Sequence, residues 1–220
     1  MVEPVRDSFG ASRVAAVILA GGEGQRLGGI IKANVEVGGR RLLDRVAESL
    51  RGRAAPILVA RGRIDPAALA LPQDLTAVPD LTDAQRGPLV GVASAVGWLL
   101  AERPDIEFLA SAAVDTPFFP EDFIGRALDA IADSGSDAVL ASYAGQAYPT
   151  NALWRLSAVD GLPQAVLNGV GPRSLKRLAE GLRTLDLDWP ESAAGDPFAN
   201  VNTPADLAAL EARAAGGAAE

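Results

Sequence analysis

The chain contains no cysteine, no histidine and one methionine, and only 5% of it is aromatic. Without cysteine there is no disulfide, no zinc–thiolate site and no thiol nucleophile. Without histidine the commonest general base and the commonest metal ligand are both missing. Any bound metal must be held by oxygen atoms, which selects a hard cation such as magnesium. Long apolar runs are lacking too: none approaches the roughly 20 residues of a membrane span. Residues 1–12 carry Glu3 and Asp7 without an apolar segment, unlike a signal peptide. The expectation is a cytoplasmic protein with no membrane partner. A basic face is missing as well: the formal net charge is -8, which argues against a general nucleic-acid binder, since that would have to neutralise phosphates.

What remains is ample for a large core. Hydrophobic residues make up 49% of the 220 residues, a length that suits a single domain spanning 1–220. Residues 1–12 and the small, polar tail 214–220 are expected to be flexible. Short apolar strands alternate with helical stretches. Strands are predicted at Val14–Leu19, Pro56–Ala60, Leu75–Val78, Glu107–Val114, Asp137–Ser142 and Thr184–Leu187, with a further short element at Ala152–Arg155. Helices are predicted at Leu42–Arg51, Leu89–Ala101, Glu121–Asp133, Ala158–Leu167, Arg173–Glu180 and Thr203–Arg213, the last with Thr203 as cap and Pro204 at its first position. Such alternation implies a Rossmann-like three-layer α/β/α fold with a mostly parallel sheet. Ligands of these sheets bind beyond the carboxyl ends of the strands, where a Gly-rich loop, Asp80 and Asp115 should gather.

The sharpest local feature is Leu19-Ala20-Gly21-Gly22-Glu23-Gly24-Gln25-Arg26-Leu27-Gly28-Gly29, with Lys32 three residues on and five glycines within nine residues. Glycine opens backbone conformations closed to other residues, so several N–H groups can approach phosphate oxygens. Arg26 and Lys32 add full positive charge on the same anion. Positioning and charge stabilisation supply most of the catalysis in phosphoryl and nucleotidyl transfer. A Walker A loop is excluded because Ile30 follows Gly29, and a dinucleotide fingerprint because Leu27 stands where its third glycine belongs. A solvated loop explains neither the basic residues nor the apolar strand feeding it.

Other candidates are weaker singly. Gly87-Pro88-Leu89-Val90-Gly91 reads as a helix start kept open for a ligand, or as an ordinary helix start. Asp80 follows Pro79 and fits a turn equally well. Asp115 ends a buried strand, where a carboxylate can hold magnesium between phosphates; a helix-capping role is the plainer alternative. Alternation puts Asn200 and Asn202 on one side of an extended segment, where two amides could hold a phosphate or water. Arg173, Lys176 and Arg177 form a basic patch that could meet an acceptor phosphate, or a solvated helix face.

Taken together, Leu19-Ala20-Gly21-Gly22, Arg26-Leu27-Gly28-Gly29 and Lys32 resemble the signature of the sugar-nucleotide-type nucleotidyltransferases, and the doubled glycine before the lysine segment is most similar to the molybdenum cofactor guanylyltransferase (MobA) family. Gly87-Pro88-Leu89-Val90-Gly91, Asp115-Thr116-Pro117 and the ending Asn200-Val201-Asn202-Thr203-Pro204-Ala205-Asp206-Leu207 follow in the family's order. The resemblance implies a nucleotidyltransferase fold and transfer of GMP from GTP to the phosphate of molybdopterin, with Mg2+ on Asp115. Leu19, Ala20, Gly21, Gly22, Lys32, Asp80, Gly87, Pro88, Leu89 and Asp115 would hold the nucleotide. Arg26, Asp80, Tyr148, Arg173, Asn200 and Asn202 would meet the acceptor, and Arg26, Lys32 and Asp115 would carry the chemistry. It also implies transient contact with cofactor-delivery or molybdoenzyme proteins. Two positions depart from the family pattern: Ile31 stands where an acidic residue usually precedes the lysine, and Tyr148 where a histidine usually precedes the proline. They leave open a non-catalytic nucleotide-binding module, beside a cytidylyltransferase or an enzyme with another phosphorylated acceptor.

Overall fold

The computed structural model describes residues 13–24, 29–84 and 87–216. In chain order the elements are β1 (Val14–Leu19), β2 (Glu23–Gly24), β3 (Ile30–Ile31), a 3-10 turn over Lys32–Asn34, β4 (Glu36–Val37), β5 (Arg40–Arg41), α1 (Leu42–Leu50), β6 (Ile57–Ala60), α2 (Pro66–Leu69), β7 (Leu75–Val78), α3 (Pro88–Glu102), β8 (Phe108–Ala113), α4 (Phe123–Ser134), β9 (Ala138–Tyr143), β10 (Gln146–Arg155), α5 (Leu156–Val159), α6 (Leu162–Leu167), α7 (Leu175–Glu180), β11 (Thr184–Trp189) and α8 (Pro204–Gly216). A seven-stranded sheet runs in the order β11-β9-β10-β8-β1-β6-β7, and two small ribbons pair β2 with β3 and β4 with β5. Within the seven-stranded sheet β10 is antiparallel to both β8 and β9 and the other pairings are parallel, while both ribbons are antiparallel. The architecture is the mostly parallel α/β sandwich expected of a nucleotidyltransferase fold.

β1 lies at the centre and shows why its sequence is apolar at every position. Val14, Ala16 and Ile18 face one core with Leu43, Val46 and Leu50 of α1 and Phe123 and Ile131 of α4. Ala15 and Val17 face the other, with Val92, Val96 and Leu99 of α3, Leu162 of α6 and Leu178 of α7. A strand covered on both faces cannot alternate apolar with polar residues. Each fully buried Val or Leu contributes about 1.5–3 kcal/mol, so this double coverage anchors the strand end that carries the glycine loop. Trp154 is fully buried on β10, and its indole N–H donates to Ser111 Oγ at 3.0 Å.

Several boundaries differ from the sequence expectation. β10 begins at Gln146, well before Ala152, because Tyr143 and Gln146 pair across a two-residue turn. Its central residues, Ala144 (φ 49) and Gly145 (φ 77), both have the positive φ of a type I′ hairpin; Ala-Gly lacks the Asn-Gly or Asp-Gly signal that would have announced it. The helix expected over Arg173–Glu180 starts at Leu175, because Ser174 Oγ accepts the Arg177 N–H and caps it there. Arg173 therefore precedes the helix. The helix expected over Ala158–Leu167 is two short ones, α5 and α6, separated at Gly161. The tail expected to be flexible from Ala214 is helical to Gly216, since Ala214 packs on a third apolar cluster with Val37, Leu42 and Leu210. Residues 1–12 and 217–220 lie outside the described residues.

Candidate active site at the carboxyl edge of the sheet

The parallel strands β1, β6, β7 and β8 deliver their following loops to one edge, and a cleft of about 740 Å3 opens there. Leu19, Gly21 and Gly22 come from the end of β1, Gly62 and Arg63 from β6, Asp80 from β7, Val114 and Asp115 from β8, and Gly87 and Pro88 from the start of α3. Thr150 joins them because β10 runs the opposite way and enters the sheet from this edge.

The glycines are there for close approach. A Cβ on Gly21 would sit 3.0 Å from the Gly62 nitrogen, and a Cβ on Gly62 would sit 3.0 Å from the Gly21 Cα, so the turns after β1 and β6 stack backbone on backbone. Gly91 lets the first turn of α3 lie against the sheet, since a Cβ would be 2.9 Å from Leu19 Cδ2. Gly87 caps α3 with φ 110 and faces open space, so the helix start looks onto the cleft.

At the other end of the cleft Lys32 makes the decisive contacts. Its ammonium donates to Asp115 Oδ2 at 2.7 Å and to Asn202 Oδ1 at 2.7 Å, joining residues 83 and 170 positions away. The Lys32 and Asp115 side chains are 14% and 17% exposed, so the pair is shielded yet opens onto the cleft. Val201 N–H donates to the Asp115 main-chain oxygen at 3.0 Å, which ties the C-terminal segment to the β8 loop. Beside it the Asn200 Oδ1 is buried without a hydrogen-bond partner among the described residues. The turn carrying Lys32 is braced from below: Asn34 Nδ2 donates to the Ala68 oxygen at 2.9 Å, and Arg41 donates to the Leu69 oxygen at 2.8 Å while pairing with Asp44.

The amino-acid pattern of residues 16–185 matches the MobA-like NTP transferase domain. The chain belongs to that family. It is 38% identical over 89% of its length to molybdenum cofactor guanylyltransferase from Rhodopseudomonas palustris strain HaA2, of which it covers 90%, and 38% identical over 89% of its length to the protein of that name from strain BisB5, of which it covers 91%. Among solved structures it is similar to molybdopterin-guanine dinucleotide biosynthesis protein A from Archaeoglobus fulgidus, with a TM-score of 0.70, 25% identity, and coverage of 92% of this chain and 99% of that one. As a MobA-like NTP transferase, the chain is a nucleotidyltransferase.

MobA-like nucleotidyltransferases use a divalent metal ion. Among the described residues no group of three or more Asp, Glu, His or Cys side chains could hold one. The cleft is lined by the Asp65, Asp80 and Asp115 carboxylates, and at the Lys32 end the Asp115 carboxylate lies near Asn200, whose amide oxygen is orphaned. Two hard oxygen donors fit a cation whose remaining positions are filled by phosphate oxygens and water. No described helix is long and apolar enough to cross a membrane.

The residues named from the sequence divide clearly. Leu19, Gly21, Gly22, Lys32, Asp80, Gly87, Pro88, Asp115 and Asn200 line the cleft, and Asn202 reaches its floor through Lys32. Asp80 is half-buried, and burial raises its carboxyl above the ordinary range despite the opposing pull of Arg61 and Arg63. Arg26 lies outside the described residues. Four others do not reach the cleft. Ala20 is fully buried beneath it, its N–H paired with the Ala60 oxygen. Leu89 is buried in the core under α3. Arg173 precedes the Ser174 cap of α7 and is not among the lining residues. Tyr148 points into the aromatic core against Phe198, and its hydroxyl donates to Asp196 Oδ2 at 2.5 Å. Burial, then the hydrogen bond to Asp196, push its phenol above the ordinary value, so it stays protonated and serves packing. Changing Tyr148 to Phe is expected to leave turnover within about threefold while lowering stability by about 1.5–3 kcal/mol, the scale for a hydrogen bond to a charged group; steady-state kinetics and thermal unfolding would check both halves.

Sequence reasoning missed the loop after β6. Gly62, Arg63, Ile64, Asp65 and Ala68 form one wall of the cleft, and Arg63 pairs with Asp83 at 2.9 Å. The signal was available in Ala60-Arg61-Gly62-Arg63, a strand end followed by glycine between two arginines. Thr150 was overlooked because the strand that carries it was begun too late.

Proposed function

We propose that the chain transfers GMP from GTP to the phosphate of molybdopterin or molybdenum cofactor and releases pyrophosphate. The observation that carries this reading is the junction of Lys32 with Asp115 and Asn202 at 2.7 Å each, at one end of a glycine-lined cleft. It places a fixed positive charge next to a carboxylate and a set of amides, on a site large enough for a nucleotide and an acceptor. The triphosphate lies along Gly21 and Gly22 toward Lys32, with the nucleoside toward Gly87, Pro88 and Asp80. Arg26, in the same loop, is assigned to the phosphates as well. The acceptor approaches past Asn200, Asn202 and Thr150.

An oxygen of the acceptor phosphate attacks the α-phosphorus in line. The bond from that phosphorus to the bridging oxygen of the β-phosphate breaks, and its electron pair leaves with pyrophosphate. A phosphate monoester is already ionised at neutral pH, so no proton has to be removed; a chain without histidine suits a phosphate nucleophile better than a hydroxyl. Lys32 stabilises the charge that develops on the transferring group. Asp115 and Asn200 would hold magnesium, which supplies further charge neutralisation there. The same reading makes the chain one nucleotidyltransferase domain working in the cytoplasm, with its product passed to cofactor-delivery proteins or molybdoenzymes.

Incubating the protein with magnesium, molybdenum cofactor and each nucleoside triphosphate in turn, then weighing the product, tests the proposal. The expected result is a GMP adduct with stoichiometric pyrophosphate from GTP. A CMP adduct would reassign the base, and GTP binding without pyrophosphate release would leave only a binding module.

A further inference from the structure

Asp206 makes no contact with the cleft, yet it governs how the C-terminal segment presents its amides. Its Oδ2 accepts the Asn202 N–H at 3.0 Å and the Thr203 N–H at 2.8 Å, and its own N–H donates to Thr203 Oγ1 at 3.2 Å. This is the reciprocal arrangement of a helix capping box, with Asp where Glu or Gln is usual. A box that served only α8 would need only the bonds at Thr203. Here the carboxylate also grips the residue before the cap, and that residue's side chain is the one that accepts from Lys32 at 2.7 Å. The segment is thus pinned from both sides: Val201 to the Asp115 oxygen at 3.0 Å, and Asn202 to Asp206.

We infer that Asp206 is a positioning residue for nucleotidyl transfer, acting through Asn202 to hold the Lys32 ammonium beside Asp115. Lysine carries a flexible four-carbon stem with three rotatable donors, so its place is set by what receives those donors. Asn202 is one of two such acceptors, and its amide is only as fixed as its backbone. Misplacing a catalytic charge by about 1 Å can cost on the order of 100-fold. The inference rests on the functional reading above.

A double-mutant cycle on the full chain tests it, with GTP and molybdenum cofactor as substrates. Asp206→Ala is expected to lower kcat by about 10-fold or more, with GTP affinity by calorimetry held within about threefold. In an Asn202→Ala background the same change should alter kcat by less than about twofold, because its route of action is already cut. Thr203→Ala removes the hydroxyl half of the box but leaves the carboxylate on Asn202. It should lower Tm by about 2–4 °C, the scale of a lost cap, with kcat unchanged. Asp206→Glu, the usual capping-box residue, should restore kcat. If Asp206→Ala does not fold, Asp206→Asn takes its place in the cycle. Additive effects of the Asp206 and Asn202 substitutions, or an Asp206→Ala protein whose Tm falls with kcat untouched, would overturn the inference while leaving the functional reading standing. A wild-type chain with no GMP transfer would overturn both.

Discussion

Replacing Lys32 by Ala is expected to lower turnover at least about 100-fold, the scale for losing one preorganised charge contact at a developing anion. That corresponds to roughly 2.7 kcal/mol of transition-state stabilisation at about 1.36 kcal/mol per tenfold. The effect on folding should be much smaller than the effect on rate. Lys32 sits on a short 3-10 turn braced by Asn34 and Arg41, and neither depends on its ammonium. Of the groups it leaves behind, Asp115 lines the cleft and Asn202 is exposed, so water can take its place. Lys32→Arg should recover only part of the loss, because a planar guanidinium does not reproduce a compact point charge. Steady-state kinetics beside thermal unfolding separates the two effects. Turnover near that of the wild type in a folded Lys32→Ala protein would remove the basis for the mechanism.

The second large effect is expected at Gly62. Its φ is 58, and a Cβ there would lie 3.0 Å from the Gly21 Cα and 3.3 Å from the Gly21 oxygen. Gly62→Ala therefore carries two costs: about 1–2 kcal/mol for an L-residue in the left-handed region, and about 1–3 kcal/mol for overpacking against backbone that cannot rotate away. The sum is about 2–5 kcal/mol, and a chain of this size should lose roughly 2–4 °C of Tm per kcal/mol. GTP affinity should fall with it, by about 10-fold or more, because the strand-end turn displaced is the one that lines the cleft. Gly52→Ala is the matched control. It shares the positive φ, at 74, but a Cβ there meets nothing within 4 Å. It should show the backbone cost alone, with GTP binding unchanged by calorimetry. Equal losses at the two positions would mean that the contact between the turns carries no weight.

Much of the framework was legible in the chain. The apolar run Val14–Leu19, buried on both faces, announced a central parallel strand, and the glycines after it announced a loop at the carboxyl edge. Asp115 was legible as a strand-end carboxylate, and Thr203-Pro204 as the start of the last helix. What misled was local chemistry overruled at a distance. Tyr148 looked available to an acceptor because it stands before Pro149, where the family usually has a histidine. Regular alternation would put Tyr148 and Thr150 on one face, but the register shift between Tyr148 and Ala152 breaks it, so Tyr148 packs into the aromatic cluster with Phe198 while Thr150 lines the cleft. Arg173 looked like part of a basic helix until Ser174 capped that helix one residue later. The wall built from Gly62–Ala68 was missed because its role depends on Gly21, which packs against it from 41 positions earlier.

Strand periodicity, glycine placement and capping residues are short-range properties. They determined which segments are strands and helices, that the sheet is mostly parallel, and that its ligand edge carries oxygen donors and basic groups without histidine or cysteine. Only the tertiary structure decided that Lys32, Asp115 and Asn202 meet within hydrogen-bonding distance, and that Gly21 and Gly62 share one contact. The physical reason is that such contacts join residues from separate strands and loops. Their distances are set by how the sheet twists and how its helices pack, and no local pattern records either.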